Sequence, residues 1–283
     1  MAAKMKIVSA MFLFGTIGLF VRGIELPSPV IALIRAVIGT AFLFVLCIGM
    51  RKKIDLSVVK KNGLKLVLAG VCIGANWVCL FEAYKHTTIV NATLSYYMAP
   101  VFVIALSPVV LGERLSFIKV AGVLVSLLGM ACISGVFNNT SAGAGAKDII
   151  GIQFGIIAAV GYATVTFTNK FIKDLPSLES TMFQLGVAAI TLLPYTLVME
   201  SRADLIFDSR TILLLAVLGV VHTGLAFWFY FSSIQDLLGQ TIAIFSYIDP
   251  LTAIIMSALI LGEPLGAMQI IGAILILGPT FKR

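Results

Sequence analysis

Asp249 and Pro250 stand together inside the apolar run FSYIDPLTAIIMSALIL, residues 245–261. A carboxylate in hydrocarbon is costly unless it is wetted, paired or protonated, so it marks a position facing a bundle interior or a cavity. Proline removes one backbone donor and loosens the turn before it, which exposes carbonyls near Phe245 and Ser246 beside the acid. The pair is a candidate proton or cation site; a hinge latch, permanently hydrogen-bonded to a neighbouring helix, is the structural reading of the same residues. His222 lies at a similar depth in the preceding run and carries a side chain that titrates near neutrality. If His222 and Asp249 face each other they form a coupling relay, and if they do not, Asp249 is the stronger candidate; a satisfied packing residue is the structural reading of His222.

A second set of residues could hold a solute. Asn76, Trp77, Tyr96, Tyr97, Tyr162, Trp228, Tyr230 and Tyr247 supply amides, hydroxyls and rings at membrane depth, and aromatic faces hold apolar or cationic ligands. Asn76, Trp77, Tyr97, Tyr162, Trp228 and Tyr247 are expected to bind substrate. Tyr84, Tyr195 and Tyr230 fall near the ends of apolar runs and read as interface anchors. Arg35 and Glu82 sit at similar distances from one membrane face and are expected to pair, as a structural ion pair or a gate. Pro100 and Pro250 are the expected hinges. Gly70 and Gly74 have the small-xxx-small spacing of close helix contact, read as packing within the bundle rather than a dimer face.

Enzyme chemistry finds little support. There is no HExxH, no GxSxG and no GxxxxGK[ST], and no catalytic residue, cofactor or metal is expected. Cys47, Cys72, Cys79 and Cys132 all fall within apolar runs without metal-ligand spacing. The +7 net charge forms no basic stripe interleaved with aromatics, so nucleic acid is not an expected partner.

The elements that must position these groups are membrane-spanning helices. The chain is 60% hydrophobic and 12% charged, where soluble domains carry about a quarter charged residues. Apolar runs near the roughly 20 residues needed to cross the bilayer fall at 7–22, 30–49, 64–84, 91–111, 117–136, 149–169, 179–199, 211–232, 240–261 and 267–280. With the N-terminus inside and ten crossings, Lys4, Lys6, Arg51, Lys52, Lys53, Lys60, Lys61, Lys65, Arg114, Lys119, Lys170, Lys173, Lys282 and Arg283 fall in the cytoplasm. Arg22, Lys85, Lys147, Arg202 and Arg210 fall outside, and Arg35 alone of the cations lies within a span. This positive-inside bias predicts a multi-pass plasma-membrane protein with both termini cytoplasmic. Lys4 and Lys6 before an apolar run resemble a signal peptide, but no small-residue cleavage pattern follows.

The two halves repeat. Tyr97, Pro100, Leu111, Gly112, Glu113, Leu115 and Gly122 recur 150 residues on as Tyr247, Pro250, Leu261, Gly262, Glu263, Leu265 and Gly272, and Pro27 and Arg35 are echoed by Pro176 and Gln184. Five spans per half is an odd number, so the halves enter the membrane in opposite senses, and such repeats are a transporter architecture. The expected division is a first repeat at 1–136, a linker at 137–148 that includes FNNTSAGAGAK, and a second repeat at 149–283. Glu113 and Glu263 begin the loops after spans four and nine and read as helix-end ties. The fold class is thus an all-α integral membrane protein of ten transmembrane helices in two inverted five-helix repeats.

This pattern, with an Arg in span two, GANW at 74–77, AYKHTTIVNATLSYYMAPVF at 83–102 and two LGE motifs, resembles the EamA family of the drug/metabolite transporter superfamily. Pro264 departs from it by replacing the cation that follows the first LGE. The resemblance implies a cavity lined by spans one, three, four, six, eight and nine, alternating access, and export of amino acids or other small metabolites. The expected partners are a small-molecule substrate, protons as coupling ion and the lipid bilayer, with the chain a monomer or homodimer. Import of a similar solute or of an organic cation is the alternative, ahead of a membrane-embedded enzyme or a channel.

Overall fold

The computed structural model describes residues 2–51, 54–87, 89–133, 146–199, 205–261 and 267–281. Lys52, Lys53, the Asn138–Thr140 stretch, Arg202, Glu263, Pro264, Lys282 and Arg283 lie outside the described residues, as does the expected linker up to residue 145.

Every regular element among the described residues is helical: α1 Ala2–Val21, α2 Ser28–Gly49, α3 Leu56–Lys61, α4 Gly63–His86, α5 Ile89–Tyr96, α6 Ala99–Leu111, α7 Phe117–Ile133, α8 Ala146–Phe171, α9 Ser177–Met199 and α10 Ser209–Val217. A π-helical segment at Leu218–Leu225 then leads into α11 Ala226–Ile234, followed by α12 Gly239–Phe245, α13 Ile248–Leu261 and α14 Ala267–Phe281. Eight segments are long and apolar enough to cross a bilayer: Ala2–Val21, Ser28–Gly49, Gly63–His86, Asn91–Leu111, Ile149–Phe171, Ser177–Val198, Ser209–Ile234 and Gly239–Ile260. Two shorter apolar helices, Phe117–Cys132 and Ile270–Pro279, occupy the places of expected spans five and ten. Helix α8 begins at Ala146, inside the stretch expected as linker.

Local chemistry explains the boundaries. Asp208 caps α10 by accepting the Thr211 amide at 2.9 Å, and these hydrogen bonds to its ionised form hold its carboxyl below the usual carboxylate range. Pro29 lies in the first turn of α2, where a missing N–H leaves no helical acceptor unpaired. Gly112 ends α6 in the left-handed conformation at φ 67°, the region glycine enters without a Cβ penalty.

Prolines 100 and 250 begin helices rather than bend them. The fourth span breaks at Tyr97–Met98, between α5 and α6, and the ninth at Ser246–Tyr247, between α12 and α13. Proline is favoured in a first helical turn and cannot donate to the turn before, so each long span divides just upstream of its proline.

The packing of these helices is reciprocal. Exchanging the halves matches α1 with α8, α2 with α9, α4 with the α10–α11 span, α5–α6 with α12–α13, and α7 with α14. Helix α4 packs on α8 and α9, while the α10–α11 span packs on α1 and α2. Helices α5 and α6 pack on α8, while α13 packs on α1; α2–α9 and α7–α14 are pairs of equivalents. At Gly70 and Gly74 a Cβ would collide with Val187 and Thr191 of α9, so the small-xxx-small stripe is an internal contact, as expected. Gly15 lets α1 approach the Asp249 backbone, where a Cβ would strike the Asp249 carbonyl and Thr252.

Candidate functional site

A cavity of about 410 Å³ lies among α1, α2, α4, α5, α8, α11 and the two breaks that precede α6 and α13. It is lined by the first turns of α2 and the second half of α4, which sets it toward the end of the bundle where α1 finishes. Span two contributes to the wall through Ser28, Ile31, Ala32 and Arg35, an addition to the six spans that the family resemblance implies.

Asp249 is in this wall and half-buried. It occupies the first turn of α13, where the helix dipole favours a negative charge. Tyr84, Tyr96, Tyr97 and Tyr162 line the same wall. The Tyr162 hydroxyl lies 3.0 Å from Ser246 Oγ, accepts from the Tyr230 hydroxyl at 2.6 Å, and Tyr230 in turn lies 3.1 Å from Thr166 Oγ1. A hydrogen-bonded chain of hydroxyls thus runs along the wall from the break beside Asp249 into α8.

Of the residues expected at the site, Asp249, Asn76, Trp77, Tyr97, Tyr162, Arg35 and Pro100 line the cavity. Asn76 is buried and donates its amide to the Ala158 carbonyl at 2.5 Å, tying α4 to α8. The Arg35 guanidinium lies 4.2 Å from the centre of the Trp77 ring.

Other expected residues stand elsewhere. His222 is turned toward α1, with Nε2 3.0 Å from Thr16 Oγ1 and its ring tilted on Phe20 at 4.7 Å; it is not in the cavity wall that holds Asp249, and no relay forms between them. The cause is local: His222 lies in the π-helical segment, whose Gly219 and Gly224 lie close against α2. Trp228 packs with the cluster of Leu43, Cys47 and Leu178 behind the wall. Helical spacing explains this, because Phe227, Tyr230 and Phe231 share the cavity face of α11, while Trp228 is turned about 100° from Phe227.

Tyr247 is fully buried at the break, stacked on Tyr97 at 6.4 Å, and its hydroxyl donates to the Tyr97 carbonyl at 3.3 Å. It joins the two broken spans instead of facing the solute space, and Pro250 likewise lies outside the lining. The Arg35–Glu82 pair does not form. Glu82 is taken by neighbours at its own helix end, with Lys85 at 3.0 Å, His86 at 3.8 Å and the Tyr195 hydroxyl donating to it. Tyr84 and Tyr230, read from their positions as interface anchors, line the cavity, as do Phe14, Tyr96 and Ser246. The signal for Tyr84 was the helical face it shares with Asn76 and Leu80.

The opposite end of the bundle is closed by polar ties onto the start of α12. Glu113 Oε1 accepts the Gly239 amide at 2.8 Å. Gln240 donates to the Arg114 carbonyl at 2.7 Å and accepts from the Ser116 amide at 3.2 Å. Lys119 reaches Thr241 Oγ1 at 3.3 Å, and Lys170 donates to the Leu237 carbonyl. The first LGER motif is therefore a tie to a neighbouring helix end. It joins loops of the two halves.

Comparison with known proteins agrees with this architecture. Residues 2–135 and 149–281 match the sequence model of the EamA-like transporter family. The uncharacterized transporter YxxF of Bacillus subtilis (strain 168) is 30% identical over 278 residues, 97% of this chain and 86% of that protein. The pseudopaline exporter CntI of Pseudomonas aeruginosa (strain UCBPP-PA14) is 28% identical over 198 residues, 66% of this chain and 63% of that protein. A solved crystal structure with 20% sequence identity superposes with a TM-score of 0.84, covering 98% of this chain and 96% of that one, which shows the fold.

Proposed function

The chain belongs to the EamA-like transporter family, and on that premise we propose that it is a secondary active transporter exporting a small amphipathic metabolite, an amino acid or a relative, in exchange for protons. The observation that carries the reading is Asp249 in the wall of an aromatic-lined cavity beside a broken helix. Such breaks free backbone groups where a transporter binds its cargo. A cavity of about 410 Å³ suits a small metabolite, and a relative named as a pseudopaline exporter favours export.

In this mechanism the Asp249 carboxylate holds either a proton or the cationic group of the solute, and the one displaces the other. Tyr97, in the same wall, positions the carboxylate, and the tyrosine rings with Trp77 hold the apolar part of the solute. Repeats 1–136 and 149–283, joined by 137–148, alternate access between the two sides, with the reciprocal packing of the halves as support. The end closed by Glu113 and Gln240 is the cytoplasmic one on the positive-inside rule, both termini share that side of the plasma membrane, and the chain acts as a monomer or homodimer.

The test is flux in proteoliposomes with a panel of amino acids and quaternary amines, with and without a pH gradient. Amino acids are expected to move against their gradient when protons flow the other way. Asp249→Asn should abolish pH-driven flux while leaving the purified protein's helicity and monodispersity unchanged. Undiminished pH-driven flux in that variant would remove Asp249 from the coupling step.

A further inference from the structure

Arg35 is a cation in a membrane-spanning helix without an acidic partner. The ion pairs among the described residues are Lys61–Asp174, Lys85–Glu82 and His86–Glu82, none of which includes it. Its Nε is buried with no hydrogen-bond partner, and the guanidinium carbon lies 4.2 Å from the centre of the Trp77 ring in the cavity wall. A charge at such depth is among the most costly features a membrane helix can carry, and one aromatic face offsets only a part of that cost.

The fold does not require the charge. In the repeat, the place of Arg35 is taken by Gln184, which is fully buried and satisfied within the bundle. Its amide nitrogen donates to Asn169 Oδ1 at 2.9 Å and Ser180 Oγ at 2.8 Å, and its oxygen accepts from Asn169 at 2.9 Å. A neutral, internally bonded side chain serves the equivalent helix; the first half carries a guanidinium with donors to spare, aimed at a cavity.

The donor set defines what would satisfy it. A guanidinium presents its N–H groups as a planar fork that matches a carboxylate in two parallel hydrogen bonds. Asp249, in the same wall system, makes no ion pair with it, so the cavity holds one cationic and one acidic group that are not spent on each other. Phe14, Phe81, Phe227 and Phe231 supply apolar surface around them.

We propose that Arg35 is the carboxylate-binding subsite of the cavity, and that the preferred solute is a zwitterion with an apolar side group whose carboxylate rests on Arg35. The assignment rests on the transport reading above and sharpens it. A solute carrying only a positive charge would leave Arg35 unpaired and be repelled by it, so organic cations are disfavoured.

The test uses Trp77, whose ring lies against the guanidinium, as the reporter. Trp77 and Trp228 are the two tryptophans of the chain, so a Trp228→Phe background leaves Trp77 fluorescence to report binding to the full-length protein in detergent. The probes are L-phenylalanine, 3-phenylpropionate, which keeps the carboxylate, and phenethylamine, which keeps the ammonium. L-Phenylalanine is expected to bind tightest. Arg35→Gln should weaken phenylalanine and phenylpropionate by about tenfold or more, with phenethylamine unchanged or tighter. Arg35→Lys, which restores charge without the fork, should recover only part of the loss.

Equal weakening of all three probes in Arg35→Gln, or binding of phenethylamine alone by the unaltered protein, would overturn the subsite, as would absence of any Trp77 response to the two carboxylates. The transport reading fails differently. If the binding pattern is as expected but proteoliposomes show no flux under either sign of pH gradient, the subsite stands and proton-coupled transport does not.

Discussion

Tyr97 and Tyr247 hold equivalent places in the two halves and serve opposite purposes. Tyr97 lines the cavity that Asp249 also lines, whereas Tyr247 is buried and donates to the Tyr97 carbonyl. If Tyr97 positions Asp249 as proposed, Tyr97→Phe should lower pH-driven flux by about tenfold, since a hydrogen bond to an ionisable group contributes about 1.5–3 kcal/mol, with little change in thermal unfolding. Tyr247→Phe should cost about 1 kcal/mol of stability and leave solute affinity as it was; affinity and unfolding temperature measured on both variants separate the two roles. Asp249, Asn76, Trp77, Tyr97 and Tyr162 were legible as cavity-lining residues because a polar group in an apolar run has few places to go. The direction that Trp228, His222 and Tyr230 face was not. Depth along a span can be counted from its ends, but the direction a side chain faces depends on which helices pack beside it. The π-helical segment at Leu218–Leu225 makes that direction harder still to read across the eighth span.

At the scale of elements, eight of the ten expected spans followed from hydropathy and the breaks from Pro100 and Pro250, since both signals are local. Short helices such as α3 were not foreseen; nothing in its six residues, LSVVKK, marks them apart from a connecting loop. The ties between the α6–α7 loop and the start of α12 were legible only as a general expectation for Glu113, because their partners lie more than a hundred residues away. These ties must open if the cavity is to reach that side of the membrane. Cross-linking Ser116→Cys to Gln240→Cys, in a chain freed of Cys47, Cys72, Cys79 and Cys132, should arrest flux, and a reductant should restore it. Flux that continues through the linked form would show that this end does not move. The α4–α9 contact is set by close approach at Gly74, so Gly74→Leu should overpack it and cost about 1–3 kcal/mol, seen as a lower unfolding temperature in detergent.

For the whole molecule, the proposed topology of five spans per half with both termini cytoplasmic makes one arrangement in the membrane testable. Ser57, beside the exposed Asp55 at the start of α3, and Glu25, between α1 and α2, should lie on opposite sides. A membrane-impermeant maleimide added to intact cells should label Glu25→Cys and spare Ser57→Cys, with the reverse in inverted vesicles. The reciprocal packing of the halves carries a consequence for energetics. Under the alternating access proposed above, identical halves would convert one access state into the other by exchanging conformations, and the two states would be equally populated. Any preference for one state must then come from positions where the halves diverge, such as Ala99 against Asp249 and Gln184 against Arg35. At such a position, each 1.4 kcal/mol or so of differential stabilisation shifts the ratio of the states about tenfold, so the resting state is a property of the difference between the repeats and can be moved by substitutions that touch neither solute nor proton.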